Sequence, residues 1–149
     1  MNDRFSFRAW DKEKGQMIGV LTLDFLFEDE NGIRAEGYCD CNGGLTQDHE
    51  SHKHNIFPEN LVLMQCTGHR DKSDRLIFEG DVIKHYKEVK PKFGYRLCVI
   101  EWGEELTGFR RTGVSEGHHF GHQYKTFEKD EIIGNIYENP ELLPKPTQP

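Results

Sequence analysis

The sequence predicts a mainly β protein, on three observations. Its apolar segments are short and strand-length, they are separated by Gly, Asp and Pro clusters, and β-branched and aromatic residues dominate them. At 149 residues with 35% hydrophobic residues, 10 Phe, 5 Tyr and 2 Trp, the chain is long enough for one domain with a real core. Folding at this size buries roughly 68–70% of the unfolded surface. The aromatics, Trp10 and Trp102 among them, are expected to supply much of that core.

The elements follow in order. Phe5-Ser6-Phe7-Arg8-Ala9-Trp10 alternates, Asp11-Lys12-Glu13-Lys14-Gly15 supplies turn formers, and Gln16-Met17-Ile18 returns to apolar character, which reads as a hairpin. A third strand is expected within Gly19–Phe27. From Glu28 to about Asn60 the composition turns acidic, Gly-rich and His-rich, a long polar loop region with at most a short ribbon around Ile33–Tyr38. Leu61–Cys66 reads as a buried strand. Thr67-Gly68 and Asp71-Lys72-Ser73-Asp74 read as successive turns, Leu76-Ile77-Phe78 as a strand, and Glu79-Gly80-Asp81 as a tight corner leading into Val82–Tyr86. Such a Gly-Asp corner also occurs in SH3-like small barrels.

Lys87–Lys92, with Pro91, reads as an exposed connection. Arg96–Trp102 is apolar on both faces and is expected at the centre of a sheet, paired with Thr107–Arg111 across Gly103-Glu104-Glu105. A Gly and His loop fills Gly113–Gln123. Ile132–Tyr137 is the last strand, followed by Asn139-Pro140, one helical turn at Glu141-Leu142-Leu143, and an extended, mobile Pro-rich tail over 144–149. Residues 1–143 are read as a single domain.

Lys and Arg total 19 against 26 Asp and Glu, a net charge of −7, which favours solubility and confines any nucleic-acid contact to a local patch. No apolar run reaches the roughly 20 residues of a membrane span, and Met1-Asn2-Asp3-Arg4 lacks the layout of a signal peptide. The chain is therefore expected in the cytoplasm, with no membrane partner. Its four cysteines, Cys39, Cys41, Cys66 and Cys98, are expected to be reduced.

Three blocks occur in order across nearly the whole chain. They are Phe7-Arg8-Ala9-Trp10-Asp11 with Met17-Ile18; Thr67-Gly68 through Asp71-Lys72 to Ile77-Phe78-Glu79-Gly80-Asp81-Val82; and Ile133-Gly134-Asn135-Ile136-Tyr137-Glu138-Asn139-Pro140-Glu141-Leu142. Together they resemble the YopX family of phage and prophage proteins. The resemblance implies a β fold with barrel-like, SH3-like strand arrangement, intertwined in a homo-oligomer, and a gene carried by a temperate phage. It implies no known activity. The chain departs from the family pattern at Cys66, His69 and Ser73-Asp74, and in its His- and Cys-bearing segment before Asn60.

Several constellations are weighed for chemistry. Cys39-x-Cys41 with His49, His52 and His54 has the ligand types of a zinc site, but one intervening residue rarely lets two thiolates reach one ion, so a solvated loop is the favoured reading and no cofactor is expected. His118, His119 and His122 lie among glycines that oppose the helix needed to align them. Glu79 and Asp81 flank Gly80, where Asp81 is expected to accept backbone N–H bonds; Gly68 and Asp71 are assigned the same structural role in the preceding turns. Lys84, Lys87, Lys90, Lys92 and Arg96, set against Glu88 alone and interspersed with Tyr86, Phe93 and Tyr95, form a basic aromatic stretch able to follow phosphates and stack bases. Its plain alternative is a connection whose lysines keep strand edges from pairing. No catalytic motif is recognisable. The function expected is that of a self-associating, non-enzymatic accessory protein engaging a host or phage macromolecule. The alternatives are a nucleic-acid-binding barrel using Lys84–Arg96 and a metal-dependent enzyme using Cys39–His54.

Overall fold

A computed structural model describes residues 5–26, 32–39, 53–89, 92–114, 119–120 and 129–143. These form strands β1 (Phe7–Asp11), β2 (Gln16–Leu26), β3 (Gly32–Cys39), β4 (Lys53–Ile56), β5 (Leu61–Arg70), β6 (Leu76–Phe78), β7 (Asp81–Val89), β8 (Lys92–Gly103), β9 (Gly108–Gly113), β10 (His119–Phe120) and β11 (Asp130–Asn135). The helical elements among them are 3-10 turns at Pro58–Asn60, Glu104–Leu106 and Pro140–Leu142. Hydrogen bonding orders the strands β4-β3-β2-β1-β5-β6 and β10-β9-β8-β7-β11, and every pairing is antiparallel. The protein is mainly β, as its sequence predicts. Its contacts divide it into two compact units, one spanning Ser6–Gln65 and the other holding Cys66 onward with the first five residues.

In the unit Ser6–Gln65, the hairpin β1–β2 closes on Asp11, which lies opposite Gln16. Asp11 is buried, and its Oδ1 accepts the N–H groups of Glu13 and Lys14 at 3.0 and 3.1 Å. A buried carboxylate is stable here because the turn supplies its donors. Gly19 does not end the strand: β2 runs unbroken from Gln16 to Leu26, and the break expected there is reduced to a register shift between Val20 and Thr22. Within the polar region, β3 pairs with β2 on one side and β4 on the other, so the short ribbon expected at Ile33–Tyr38 is a central strand. The core is Ala9, Ile18, Ala35 and Ile56, with Val20, Leu23 and Leu61 packed against it.

In the unit from Cys66, the apolar core is Ile77, Ile83, Cys98 and Ile100, flanked by Phe109 and Ile132. Strand β8 takes the central position its two apolar faces require. The basic stretch is not a connection in its described part: Lys87–Val89 belong to β7 and Lys92–Gly94 to β8, with Val89 opposite Lys92. Lys90 and Pro91 lie outside the described residues. Thr67-Gly68 is likewise no turn but part of β5, where Gly68 takes φ +79° at an irregularity between Cys66 and Arg70.

The expectation that aromatics fill the core fails for the described residues. The fully buried apolar residues are aliphatic, Met or Cys, whereas Tyr86, Tyr95 and Trp102 are exposed, Trp102 at 42%. Trp102 sits at the end of β8, where its ring meets Phe109 edge-on at 5.2 Å. It covers that neighbour instead of entering the core.

Candidate functional site

Three parts of the second unit hold its chemistry, and the first is a set of fasteners. Asp71 is buried. Its Oδ1 accepts from the backbone N–H of Ser73 and Arg75, and its Oδ2 accepts from the Arg75 guanidinium and from Ile132 N–H. Burial opposes its ionisation, yet these donors prevail and hold its pKa below the usual carboxylate range. Arg75 also donates to Ile132 O at 2.6 Å, and Lys72 N–H to Asp130 O at 2.8 Å. The turn after β5 is thereby fixed to β11.

The Glu79-Gly80-Asp81 corner is tied on three sides. Asp81 Oδ2 accepts Phe78 N–H at 2.9 Å, Gly80 N–H donates to Ile100 O, and Gly80 O accepts Ile136 N–H. Gly80 has φ +79°, a backbone that side-chain-bearing residues rarely adopt. After β11, Asn135 Oδ1 accepts Tyr137 N–H, Asn139 Oδ1 accepts Asn135 N–H, and Asn139 N–H donates to Asn135 O. Gly134 faces this knot so closely that a Cβ there would lie 2.5 Å from Asn139 Oδ1. Tyr137 is half-buried, and desolvation, with Glu79 nearby, pushes its phenol pKa up. Apart from the Arg75–Asp71 ion pair, these bonds engage backbone groups and residues of the three sequence blocks, which makes them structural.

The second part is a buried charge cluster that the sequence does not single out. Arg111 on β9 donates through Nε to Asp130 Oδ2 at 2.8 Å and through Nη2 to the same oxygen. His85 Nδ1 on β7 lies 2.8 Å from Asp130 Oδ1. The side chains of Arg111 and Asp130 are each 1% exposed and that of His85 is 21%. In the sheet order, β8 and β7 separate β9 from β11, a span of about 14 Å if the sheet were flat. Arg111 and Asp130 touch because the sheet curls across its inner face. Among the described residues the result is a curled sheet in which no strand pairing closes a barrel. Nothing in their spacing announces this: the residues lie 19 and 45 positions apart.

The third part is the opposite face of β7 and β8. Side chains alternate along a strand, so with Ile83 and Cys98 in the core, Lys84, Tyr86, Tyr95 and Leu97 point away from it. Tyr86 and Tyr95 are register partners, 37% and 57% exposed, with ring centroids 6.4 Å apart and tilted by 57°. Lys72 Nζ stands over the Tyr86 ring at 5.3 Å and Lys84 Nζ over Tyr95 at 5.2 Å. Glu131 on β11 accepts from Lys72 Nζ and from Tyr86 OH, both at 2.8 Å. These bonds raise the Lys72 pKa and lower that of Glu131.

Of the residues expected to bind nucleic acid, the structure thus brings Lys84 and Tyr86 together and adds Tyr95 and Lys72. Arg96 pairs with His85 and lies on the other face. Lys87 and Lys92 are placed on β7 and β8 by their backbones, and Lys90 lies outside the described residues. Among the zinc candidates, Cys39 falls on β3 and His54 on β4, while Cys41, His49 and His52 lie outside the described residues. His119 falls on β10; His118 and His122 lie outside. Among the described residues no group of three His, Cys, Asp or Glu is placed to hold a metal, and no helix is long and apolar enough to cross a membrane. Cys66 and Cys98 are buried free thiols.

Comparison with known proteins agrees with this architecture. The family model described as YopX protein matches residues 6–144. No curated protein matches the chain. The crystal structure of protein EF1440 from Enterococcus faecalis is similar with a TM-score of 0.56 and 23% identity, covering 93% of this chain and 97% of that one. The X-ray structure of protein yopX from Bacillus subtilis is similar with a TM-score of 0.54 and 17% identity, over 97% of this chain and 100% of that one. At these identities the solved structures speak for the fold.

Proposed function

The chain belongs to the YopX protein family, and from that premise we propose that it is a non-enzymatic binding protein whose recognition surface is the Tyr86–Tyr95 face of its five-stranded sheet. One observation carries this reading: two tyrosines stand exposed side by side on the adjacent interior strands β7 and β8, on the face turned away from the core. Single exposed aromatics are ordinary, whereas paired ones on rigid strands supply contact area at little cost in conformational entropy. Lys72, Lys84 and Glu131 fix the rings and surround them with charge, the arrangement of an apolar contact with a polar rim. The self-association and phage setting that the family resemblance implies, and the cytoplasmic location expected from the sequence, belong to the same proposal. Sedimentation of the purified protein reads out the first of them.

The test replaces Tyr95 with a photoreactive benzoyl-phenylalanine and irradiates bacterial cells expressing the full chain. The expected result is a discrete macromolecular adduct, missing when the probe sits at exposed Ser73 and lost on Lys84→Glu. Adducts identical at both positions, or none at Tyr95, would overturn the reading.

A further inference from the structure

We infer that the partner of the Tyr86–Tyr95 face is single-stranded nucleic acid; this rests on the binding role proposed above and names its ligand. The argument begins with charge. The whole chain carries −7, but among the described side chains of this face two lysines, Lys72 and Lys84, stand against Glu131. A polyanion repelled by the molecule at large is therefore met by cations beside the tyrosine pair. Lys84 lies on the same face as both tyrosines, and Lys72 reaches that face from the turn after β5.

Ring geometry selects among polyanions. An acidic peptide would use the lysines and leave the aromatic pair unused. A duplex stacks its bases about 3.4 Å apart along each strand and offers no ring face. Tyrosines with centroids 6.4 Å apart and planes tilted by 57° suit two bases splayed out of a stack, each meeting one ring while the intervening phosphate meets Lys84. Exposed aromatics on the middle strands of a sheet are a recurrent platform for such strands, tolerant of sequence because every base has a π-face.

The experiment is fluorescence anisotropy with the full-length protein and four labelled probes: a 20-nucleotide oligothymidine, a 20-nucleotide oligouridine, a 20-base-pair duplex and a poly-glutamate peptide. Salt is varied from 20 to 200 mM NaCl. Expected is preferential binding of the single strands, with log K falling against log salt at a slope of about −1.4 for two phosphate contacts. Tyr95→Ala is expected to weaken it about tenfold or more, since each base–aromatic stack contributes strongly, and Tyr95→Phe to preserve it. The exposure of Tyr95 keeps these variants folded, which far-UV circular dichroism verifies. Absence of single-strand binding at 20 mM salt overturns the inference, as does equal affinity for duplex or poly-glutamate, or binding indifferent to Tyr95→Ala. A protease-sensitive photo-adduct at Tyr95 combined with no oligonucleotide binding would refute this ligand while sustaining the binding role.

Discussion

Asp130→Asn is the most informative perturbation of the fold, because it removes the charge that holds the curl of the second sheet. Asp130 accepts two bonds from Arg111 and faces His85, and both members of the ion pair are 1% exposed. Asparagine keeps the shape but leaves a guanidinium buried without its counter-charge. Breaking a buried pair in this way costs about 3–5 kcal/mol, against a total stability of roughly 5–15 kcal/mol for a domain. At about 3 °C per kcal/mol for a chain of this size, Tm should fall by about 9–15 °C. The assay is urea and thermal unfolding followed by the fluorescence of Trp102 in a Trp10→Phe background, so that the signal reports the unit containing the pair. Arg111→Met combined with Asp130→Asn removes both charges, and it should recover part of the loss, with a coupling of about 2 kcal/mol. Single variants that each cost less than about 1 kcal/mol and add without coupling would refute the claim that this pair closes the sheet.

Four further outcomes follow from the same geometry. Gly134→Ala places a methyl 2.5 Å from Asn139 Oδ1 and 2.8 Å from Leu142 Cδ1, and the overpacking should cost about 1–3 kcal/mol in a urea titration. Gly80→Ala forces a side chain to φ +79°, for about 1–2 kcal/mol by the same measurement. The lowered pKa of Asp71 means that its contribution is fully present above the unfolded carboxylate range and is lost as pH falls below about 4; Asp71→Asn should therefore flatten the acid limb of a stability–pH curve. The raised pKa of Tyr137 works the other way. Its contribution holds below about pH 10 and is lost as pH rises through the folded value, so Tyr137→Phe should remove that alkaline loss.

The sequence reveals structure where a physical requirement is local. The Asp11–Gly15 turn, the Glu79-Gly80-Asp81 corner and the central place of β8 are legible because turn chemistry and two-sided apolarity act within a few residues. It is misleading where neighbours decide. Gly19 and the Thr67-Gly68 pair look like breaks, but register irregularities absorb them into β2 and β5. The polar region hides β3 because its acidic, Gly-rich composition lacks the apolar alternation of a strand, although it pairs with its sequence neighbours β2 and β4. Arg111 and Asp130 are not singled out by the sequence, since only the curl of a sheet across two intervening strands makes them partners. Trp102 reads as core, yet the end of a hairpin leaves it outside. The proposed binding face is half legible. The basic aromatic stretch stands out, but the alternation that keeps Lys84, Tyr86 and Tyr95 and sends Arg96 to the far side depends on which residues the core claims.

That division bears on how function is to be sought in this family. The residues that make the chain recognisable are Asp11, Asp71, Gly80, Asp81, Gly134, Asn135 and Asn139, and each is occupied with a turn, a corner or a backbone knot. Altering them is expected to weaken the fold and to say little about a ligand. The face carrying Tyr86 and Tyr95 lies largely outside those blocks, and its side chains are free of the core. The fold therefore engages one set of residues, and the face carrying the tyrosines is built from another. Two relatives that share the corner and the knot while differing at Tyr95 should share an architecture and differ in what they bind, which the same oligonucleotide assay on both would decide.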